Sequence, residues 1–157
     1  KGAKEYVNST NIRLFNFEEF QKHYFNSWYE NYFAPQIYSV NASLVQFTEP
    51  LNSRRDRYRE YLNENQKLEF EKLLDKYSLF SNLLLIWGSG INVYPNNYYA
   101  NKYGIVSLEG IKAALFECFR KKYSFENYIE ALETIKTLID KGVAEFVEVF
   151  GTNIFMD

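Results

Sequence analysis

The chain concentrates four of its six arginines within six positions, where their charges could hold an anionic partner. These residues are Arg54, Arg55, Arg57 and Arg59. A guanidinium binds a carboxylate or a phosphate through two parallel hydrogen bonds. The segment therefore predicts an anion-binding surface, and Tyr58 and Tyr61 beside it supply aromatic faces on which nucleic-acid bases could stack.

Helical spacing divides these arginines into two pairs. Arg57 and Arg59 each have an acidic residue three positions away, a spacing that allows an ion pair on one helix face. Arg54 and Arg55 have no such neighbour and fall on the apolar stripe of the helix. They need a carboxylate from elsewhere in the fold, a helix C-terminus or an external anion. The alternative is that their stems cover the edge of the core while their charged ends reach water.

A second candidate surface is the segment 88–104, which is rich in asparagine and tyrosine and predicts a long loop. Its polar and aromatic residues are Asn92, Tyr94, Asn96, Asn97, Tyr98, Tyr99, Asn101 and Tyr103. Loops of this length are uncommon in compact domains and usually carry function. Tyrosine offers a large rigid contact area and asparagine offers adaptable hydrogen bonds, so we expect a partner protein to bind here. The alternative is a short helix, capped by Asn96, whose tyrosines pack inward.

Histidine and cysteine chemistry has little support in this sequence, because the chain holds one of each. That count excludes an intrachain disulfide framework and a cysteine-rich metal site. His23 falls beside Glu19 on the polar flank of the first predicted helix, so we expect a solvated side chain. Cys118 falls on an inward stripe and is expected to be an inert buried thiol. We predict no catalytic residue, no metal ligand and no cofactor.

The overall composition narrows the classes of partner. A formal charge of −2 and an isoelectric point near 5.6 give no general attraction to nucleic acid or to an anionic membrane. The longest strongly apolar run, residues 83–87, is far too short to span a bilayer. We therefore expect no membrane partner and a reducing, cytoplasmic location. Frequent Asn, Tyr and Phe with only 3 Pro indicate an AT-rich coding sequence, as in a low-GC bacterium or a phage.

Apolar spacing in the N-terminal part predicts helices. Asn16 can cap a first helix, which Pro35 should end. The aromatic stripe of this helix is Phe17, Phe20, Tyr24, Trp28 and Tyr32.

Residues 36–47 fit a helix or a strand, and we favour the helix. Another helix should begin at Thr48 and end near Asn63. A longer one follows and should stop at 88–90, with an apolar face formed by Phe70, Leu73, Leu74, Tyr77, Phe80, Leu84 and Trp87.

The C-terminal part predicts further helices in a close pair. Ser107 should cap a helix that ends in the cations 120–122, which complement the helix dipole. Ser124 should cap the next helix, with Ile129 turned inward and Gly142 as its C-terminal stop. A short last helix should cover 143–150. The acidic outer face of the second helix favours a packing hairpin over a DNA-binding helix-turn-helix.

Together these elements predict one all-α domain of six or seven helices that covers residues 1–157. Its N-terminal part is 1–87, its loop is 88–104 and its C-terminal part is 105–157. No motif of a known family is recognisable in these residues.

Three functions are consistent with the sequence. We favour a small non-catalytic protein-binding factor, such as an adaptor, an inhibitor, or an immunity-type or anti-defence accessory protein, whose partner could be acidic. The alternative is a nucleic-acid or nucleotide-phosphate binding module that uses the arginine segment. An enzyme that uses Glu or Tyr as acid or base is the third.

Overall fold

The computed structural model describes residues 14, 16–48, 59–89 and 107–151, and these residues are mostly helical. The elements are α1 (Phe17–Trp28), a π-helix (Tyr29–Phe33), α2 (Ala34–Thr48), α3 (Glu64–Gly88), α4 (Leu108–Phe119) and α5 (Tyr128–Phe150). The first three form one continuous helix. The predicted all-α class is confirmed, since these ranges contain no strand. They hold four continuous helices, fewer than the six or seven that were predicted.

The first helix begins where it was predicted to begin. The Asn16 side-chain oxygen accepts a hydrogen bond from the Glu19 amide at 2.8 Å, and the Asn16 amide donates to the Glu19 carboxylate at 2.9 Å. This reciprocal pair is a capping box, which satisfies two backbone N–H groups at the helix start.

Pro35 does not end this helix, so that prediction was wrong. Proline lacks an N–H, and its ring clashes with the carbonyl four residues earlier in an α-helix. Here a π-helix directly precedes Pro35, and the Ala34 amide donates to the Tyr29 carbonyl five residues back. The wider turn accommodates the proline, and the chain continues as α2. The helix favoured for 36–47 is therefore confirmed, and the strand is excluded.

The burial of aromatic side chains along the first helix differs from the prediction. Tyr29 and Phe33 are completely buried. On the predicted stripe, in contrast, Phe20 is 53% exposed and Tyr24 and Tyr32 are each 44% exposed. Much of the predicted stripe therefore lies at the surface.

Helix α3 follows the prediction closely. Asn63 caps it through a second capping box, with Gln66 as its partner at 2.9 and 3.1 Å. All seven residues of the predicted apolar face are buried. The helix ends at Gly88, as expected, and a Cβ at that position would lie 3.1 Å from the Tyr38 backbone nitrogen of α2. The helix predicted from Thr48 to Asn63 falls mainly outside the described residues.

Helix α4 begins where it was predicted to begin, because the Ser107 hydroxyl accepts a hydrogen bond from the Gly110 amide at 3.0 Å. It ends at Phe119, before the cations 120–122 that were predicted to form its last turn. Helix α5 departs from the prediction. Its cap is Asn127 and not Ser124, with the Asn127 side-chain oxygen accepting from the Glu130 amide at 2.9 Å. Ile129 was expected to turn inward, but it is 61% exposed.

Gly142 does not end α5, and the predicted short last helix is a continuation of it. A Cβ at Gly142 would lie 3.0 Å from both the Leu44 side chain of α2 and the Tyr77 ring of α3. Glycine is therefore present because three helices meet there, and the need is steric rather than conformational.

The core lies where α2 packs against both α3 and α5. The rings of Phe47 and Phe146 stack there with centroids 5.0 Å apart. At the other end of α3, the buried Tyr29 hydroxyl donates to the Trp87 carbonyl at 2.7 Å, which fixes the first helix to the end of α3. Within the described ranges, no helix has both the length and the apolar content to cross a membrane.

Candidate functional site

Of the predicted arginine surface, the structure describes only the last residue, Arg59. Arg54, Arg55 and Arg57 lie outside the described residues. Arg59 forms an ion pair with Glu71 of α3, so its charge is balanced within the fold. The sequence predicts a different partner for Arg59, namely the carboxylate of Asp56, three positions earlier in the same predicted helix.

The predicted Tyr/Asn loop lies beyond the end of α3. Of segment 88–104, the structure describes only Gly88, at the helix end, and Ser89, whose hydroxyl donates to the Leu85 carbonyl at 2.6 Å. The predicted site residues, Asn92, Tyr94, Asn96, Asn97, Tyr98, Tyr99, Asn101 and Tyr103, lie outside the described residues. The loop therefore stays a prediction.

A groove lined by aromatic residues lies between α1 and the start of α5. It has a volume of about 230 Å³, and we call it the aromatic groove. Its lining residues are Phe20, Tyr24, Phe25, Trp28 and Tyr128. None of the described residues that line it is charged. This described lining can take up an apolar group but offers no charge to an ion.

Ring contacts hold the walls of the aromatic groove in place. Tyr128 packs against Phe25 and Trp28, with centroid distances of 5.4 and 5.3 Å, and so joins α5 to α1. Phe20 and Tyr24 lie 4.8 Å apart on the outer wall. Burial raises the pKa of the Tyr128 phenol, although a hydrogen bond with the Leu108 backbone opposes the rise, so the phenol is neutral at pH 7.

A second cavity, of about 270 Å³, lies where α3, α5 and the end of α4 meet. Four cations line it, and we call it the basic pocket: Lys76, Arg120, Lys121 and Lys141. The other lining residues are Tyr77, Cys118, Phe119, Tyr123 and Leu138. Within the part of the chain that the structure describes, no acidic residue lines this cavity. The basic pocket therefore favours an anionic group, whereas the aromatic groove favours an apolar one.

One carboxylate borders the basic pocket. Glu145 accepts hydrogen bonds from the Lys76 ammonium at 2.7 and 2.9 Å and from the Tyr77 hydroxyl. Burial raises the pKa of the Glu145 carboxyl, but these hydrogen bonds and the charges of Lys76 and Lys141 outweigh it, so the pKa lies below its ordinary value. Glu145 is therefore ionised at neutral pH and balances one of the four cations.

The remaining titratable groups in the pocket carry no charge at pH 7. Burial, with a contribution from the charge of Glu117, raises the pKa of the Cys118 thiol to about 12. Burial also raises the pKa of Tyr77 and Tyr123. The expectation of an unreactive Cys118 thiol is consistent with this, because the thiolate is the nucleophilic form.

His23 is exposed, as expected, and its ring meets Tyr24 edge-on with centroids 4.7 Å apart. Among the described residues, no group of three or more His, Cys, Asp or Glu side chains is arranged to hold a metal ion.

The residues of one wall of the aromatic groove could be predicted from the sequence, but the groove itself could not. The spacing of Phe20, Tyr24 and Trp28 put them on one stripe, but the opposite wall, Tyr128, lies a hundred residues away in the chain. The basic pocket was missed because its cations come from three elements. Of the pocket cations, only Arg120 and Lys121 stand out in the sequence, as part of the run 120–122 that the helix dipole explains.

Comparison with known proteins returned no relative. The chain matches no protein-family model, no curated protein and no solved structure. Its function is therefore inferred from the chemistry of the groove and the pocket.

Proposed function

We propose that this protein is a small non-catalytic protein-binding factor and that its contact surface includes the aromatic groove. The adaptor, inhibitor, immunity-type and anti-defence roles all belong to this class. The observation that carries the proposal is the exposure of Phe20 and Tyr24, at 53% and 44%, beside a cavity without charged lining. Exposed aromatic residues gathered at one depression are typical of protein contact sites.

The size of the groove favours side chains of a partner over a free cofactor. Pockets for drug-sized molecules enclose about 300–1,000 Å³. The aromatic groove encloses about 230 Å³, which suits one or two apolar side chains. We therefore propose that the groove binds a protein segment that inserts aliphatic or aromatic side chains, as when an amphipathic helix lies in a groove.

Rigid walls support the same proposal. Trp28 contacts both Tyr128 and Phe33, at 5.3 and 5.6 Å between centroids, so the inner wall is fixed to the core. A preformed apolar pocket spends little free energy on ordering when a partner binds.

The nucleic-acid alternative stays a prediction at the arginine segment, because Arg54, Arg55 and Arg57 lie outside the described residues. Its described member, Arg59, is paired with Glu71 and so contributes no free charge. We propose the cytoplasm as the compartment, which agrees with a single cysteine that is unpaired.

The proposal is tested by affinity capture with variants of the groove. Phe20→Ala and Tyr24→Ala truncate exposed rings, so each should change the free energy of unfolding by about 0.5 kcal/mol or less. We expect proteins captured by the wild-type chain to be lost or weakened about tenfold or more by these variants. Capture should also persist at high salt, because the described residues that line the groove are uncharged.

The matched controls are Tyr38→Ala and Tyr61→Ala, which remove exposed rings outside the groove, at 69% and 71% exposure. They should leave capture unchanged. Equal capture by the groove variants and the wild type, or the same loss in the controls, would contradict the proposal.

A further inference from the structure

The basic pocket carries more positive charge than the fold itself accounts for. The ammonium of Lys76 is paired with Glu145. Arg120, Lys121 and Lys141 form no ion pair with any residue in the described ranges, although the charge of Lys141 also acts on the Glu145 carboxylate. These three side chains are exposed, and like charges gathered around one cavity create a positive potential that attracts an anion.

The helix dipole explains only part of this arrangement. Arg120 and Lys121 follow the last turn of α4, where cations interact favourably with the helix C-terminus. Lys76 and Lys141, however, project from the interior of α3 and α5. The dipole of α4 therefore does not explain why these two lysines lie at the same cavity.

Arg120 adds an independent observation. Its backbone has φ 53° and ψ 30°, the left-handed conformation, and it is the one non-glycine residue with positive φ in the described ranges. Glycine usually occupies this position after a helix, because any other residue is strained there. A strained backbone is retained where the side chain has a use, and here the guanidinium lines the basic pocket.

The walls of the pocket hold the cations and offer a flat surface. The Lys76 ammonium lies 5.2 Å from the centre of the Tyr77 ring, and the Lys121 ammonium lies 5.5 Å from that of Tyr123. Cation–π contacts of this kind restrain the lysine side chains. Phe119 is a further aromatic wall.

We propose that the basic pocket binds a phosphate group, either free or carried by a small phosphomonoester. A phosphate brings two negative charges and three acceptor oxygens, which match several cations at once. The guanidinium of Arg120 suits it because its fork can donate two parallel hydrogen bonds. The pocket, at about 270 Å³, also has room beside the phosphate for part of an organic molecule along the aromatic walls.

The test is calorimetric titration of the full chain with inorganic phosphate and with AMP at low ionic strength. We expect saturable binding at one site for at least one of them. Tighter binding of AMP would show that its organic part contacts the aromatic walls, and equal or tighter binding of inorganic phosphate would show that phosphate alone is recognised. No saturable binding of either probe by the wild-type chain would overturn the proposal.

Arg120→Gly separates binding from stability. Glycine adopts the left-handed conformation without strain, so this variant should be at least as stable as the wild type. It should nevertheless bind the probe about tenfold more weakly, as expected for the loss of one charge-assisted hydrogen bond. A folded Arg120→Gly variant that binds as the wild type does would overturn the proposal.

A second pair of variants controls for the general loss of charge. Lys141→Gln removes a cation of the pocket and should also weaken binding about tenfold. Lys136→Gln removes a cation of the same helix that lies outside the pocket, beside Glu133, and should change binding less than about twofold. Equal losses in these two variants would show non-specific attraction and would overturn the proposal.

Discussion

The hydrogen bond between Tyr29 and Trp87 gives a sharp test of how the long first helix is held in the fold. Tyr29 is completely buried in the π-helix, and its hydroxyl donates to the Trp87 carbonyl at 2.7 Å. That carbonyl lies in the last turn of α3, where the helix itself supplies no further amide to carbonyl groups. Tyr29→Phe removes this bond and leaves the aromatic ring in place.

The expected cost follows from the burial of the bond. A typical intramolecular hydrogen bond contributes about 0.5–1.5 kcal/mol, and a buried site lies at the upper end because water cannot replace the lost donor. We therefore expect Tyr29→Phe to lower the free energy of unfolding by about 1–2 kcal/mol. For a domain of this size, the melting temperature should fall by about 2–8 °C.

The measurement is urea denaturation at pH 7, with Tyr38→Phe as the matched control. Tyr38 is 69% exposed, so removing its hydroxyl should change the free energy of unfolding by less than about 0.5 kcal/mol. The ring is retained in both variants. The comparison therefore isolates the buried hydroxyl.

A pH series adds an independent check. Burial, and secondarily the charge of Glu30, raises the pKa of Tyr29 above its ordinary value of 10.0. Both states keep the proton below pH 10, so the stabilisation is fully present there. Above pH 10 the unfolded chain releases the proton first, and stability falls by up to about 1.4 kcal/mol per pH unit. The stability difference between wild type and Tyr29→Phe should therefore shrink as the pH rises above 10.

Two outcomes would refute this reasoning. One is a Tyr29→Phe variant as stable as Tyr38→Phe at pH 7. The other is a difference from the wild type that stays constant from pH 9 to about pH 11, since ionisation of the unfolded chain must reduce it.

Two further perturbations test the structure of α5. Asn127→Ala should lower the free energy of unfolding by about 1 kcal/mol in urea denaturation, whereas Ser124→Ala should change it by less than about 0.5 kcal/mol, because Asn127 and not Ser124 caps the helix. The reverse order would contradict the assigned helix start. Gly142→Leu should lower the melting temperature and cost about 1–3 kcal/mol or more, because its side chain would enter the contact with Leu44 and Tyr77. An unchanged melting temperature would show that the three helices do not meet closely there.

Features that depend on a few neighbouring residues could be predicted from the sequence alone. Asn16 and Ser107 were predicted as helix caps because a side-chain oxygen at that position can reach an amide three positions later, and both hydrogen bonds are present. The seven residues of the predicted apolar face of α3 are all buried, because apolar residues repeat at helical spacing along a long helix; Ser81, Leu83 and Ile86 are buried as well.

Where two local signals were equally good, neighbouring residues alone could not choose between them. Ser124 and Asn127 are both suitable caps, and in the structure Asn127 caps α5. Gly142 resembles a helix stop in sequence, but it lies within α5, and its missing side chain leaves room for α2 and α3. Pro35 resembles a break, but a π-turn just before it lets the helix continue, and Tyr29 within that turn is buried.

The two candidate sites depend on tertiary structure for the same reason. The aromatic groove joins Trp28 to Tyr128, and the basic pocket joins Lys76, Arg120 and Lys141. In the sequence each of these residues has an ordinary local explanation as part of an apolar stripe, a solvated face or a helix end. Helix packing brings the residues of each site together at one cavity. Aromatic rings from two segments then form the aromatic groove, and cations from three segments sum to the positive charge of the basic pocket.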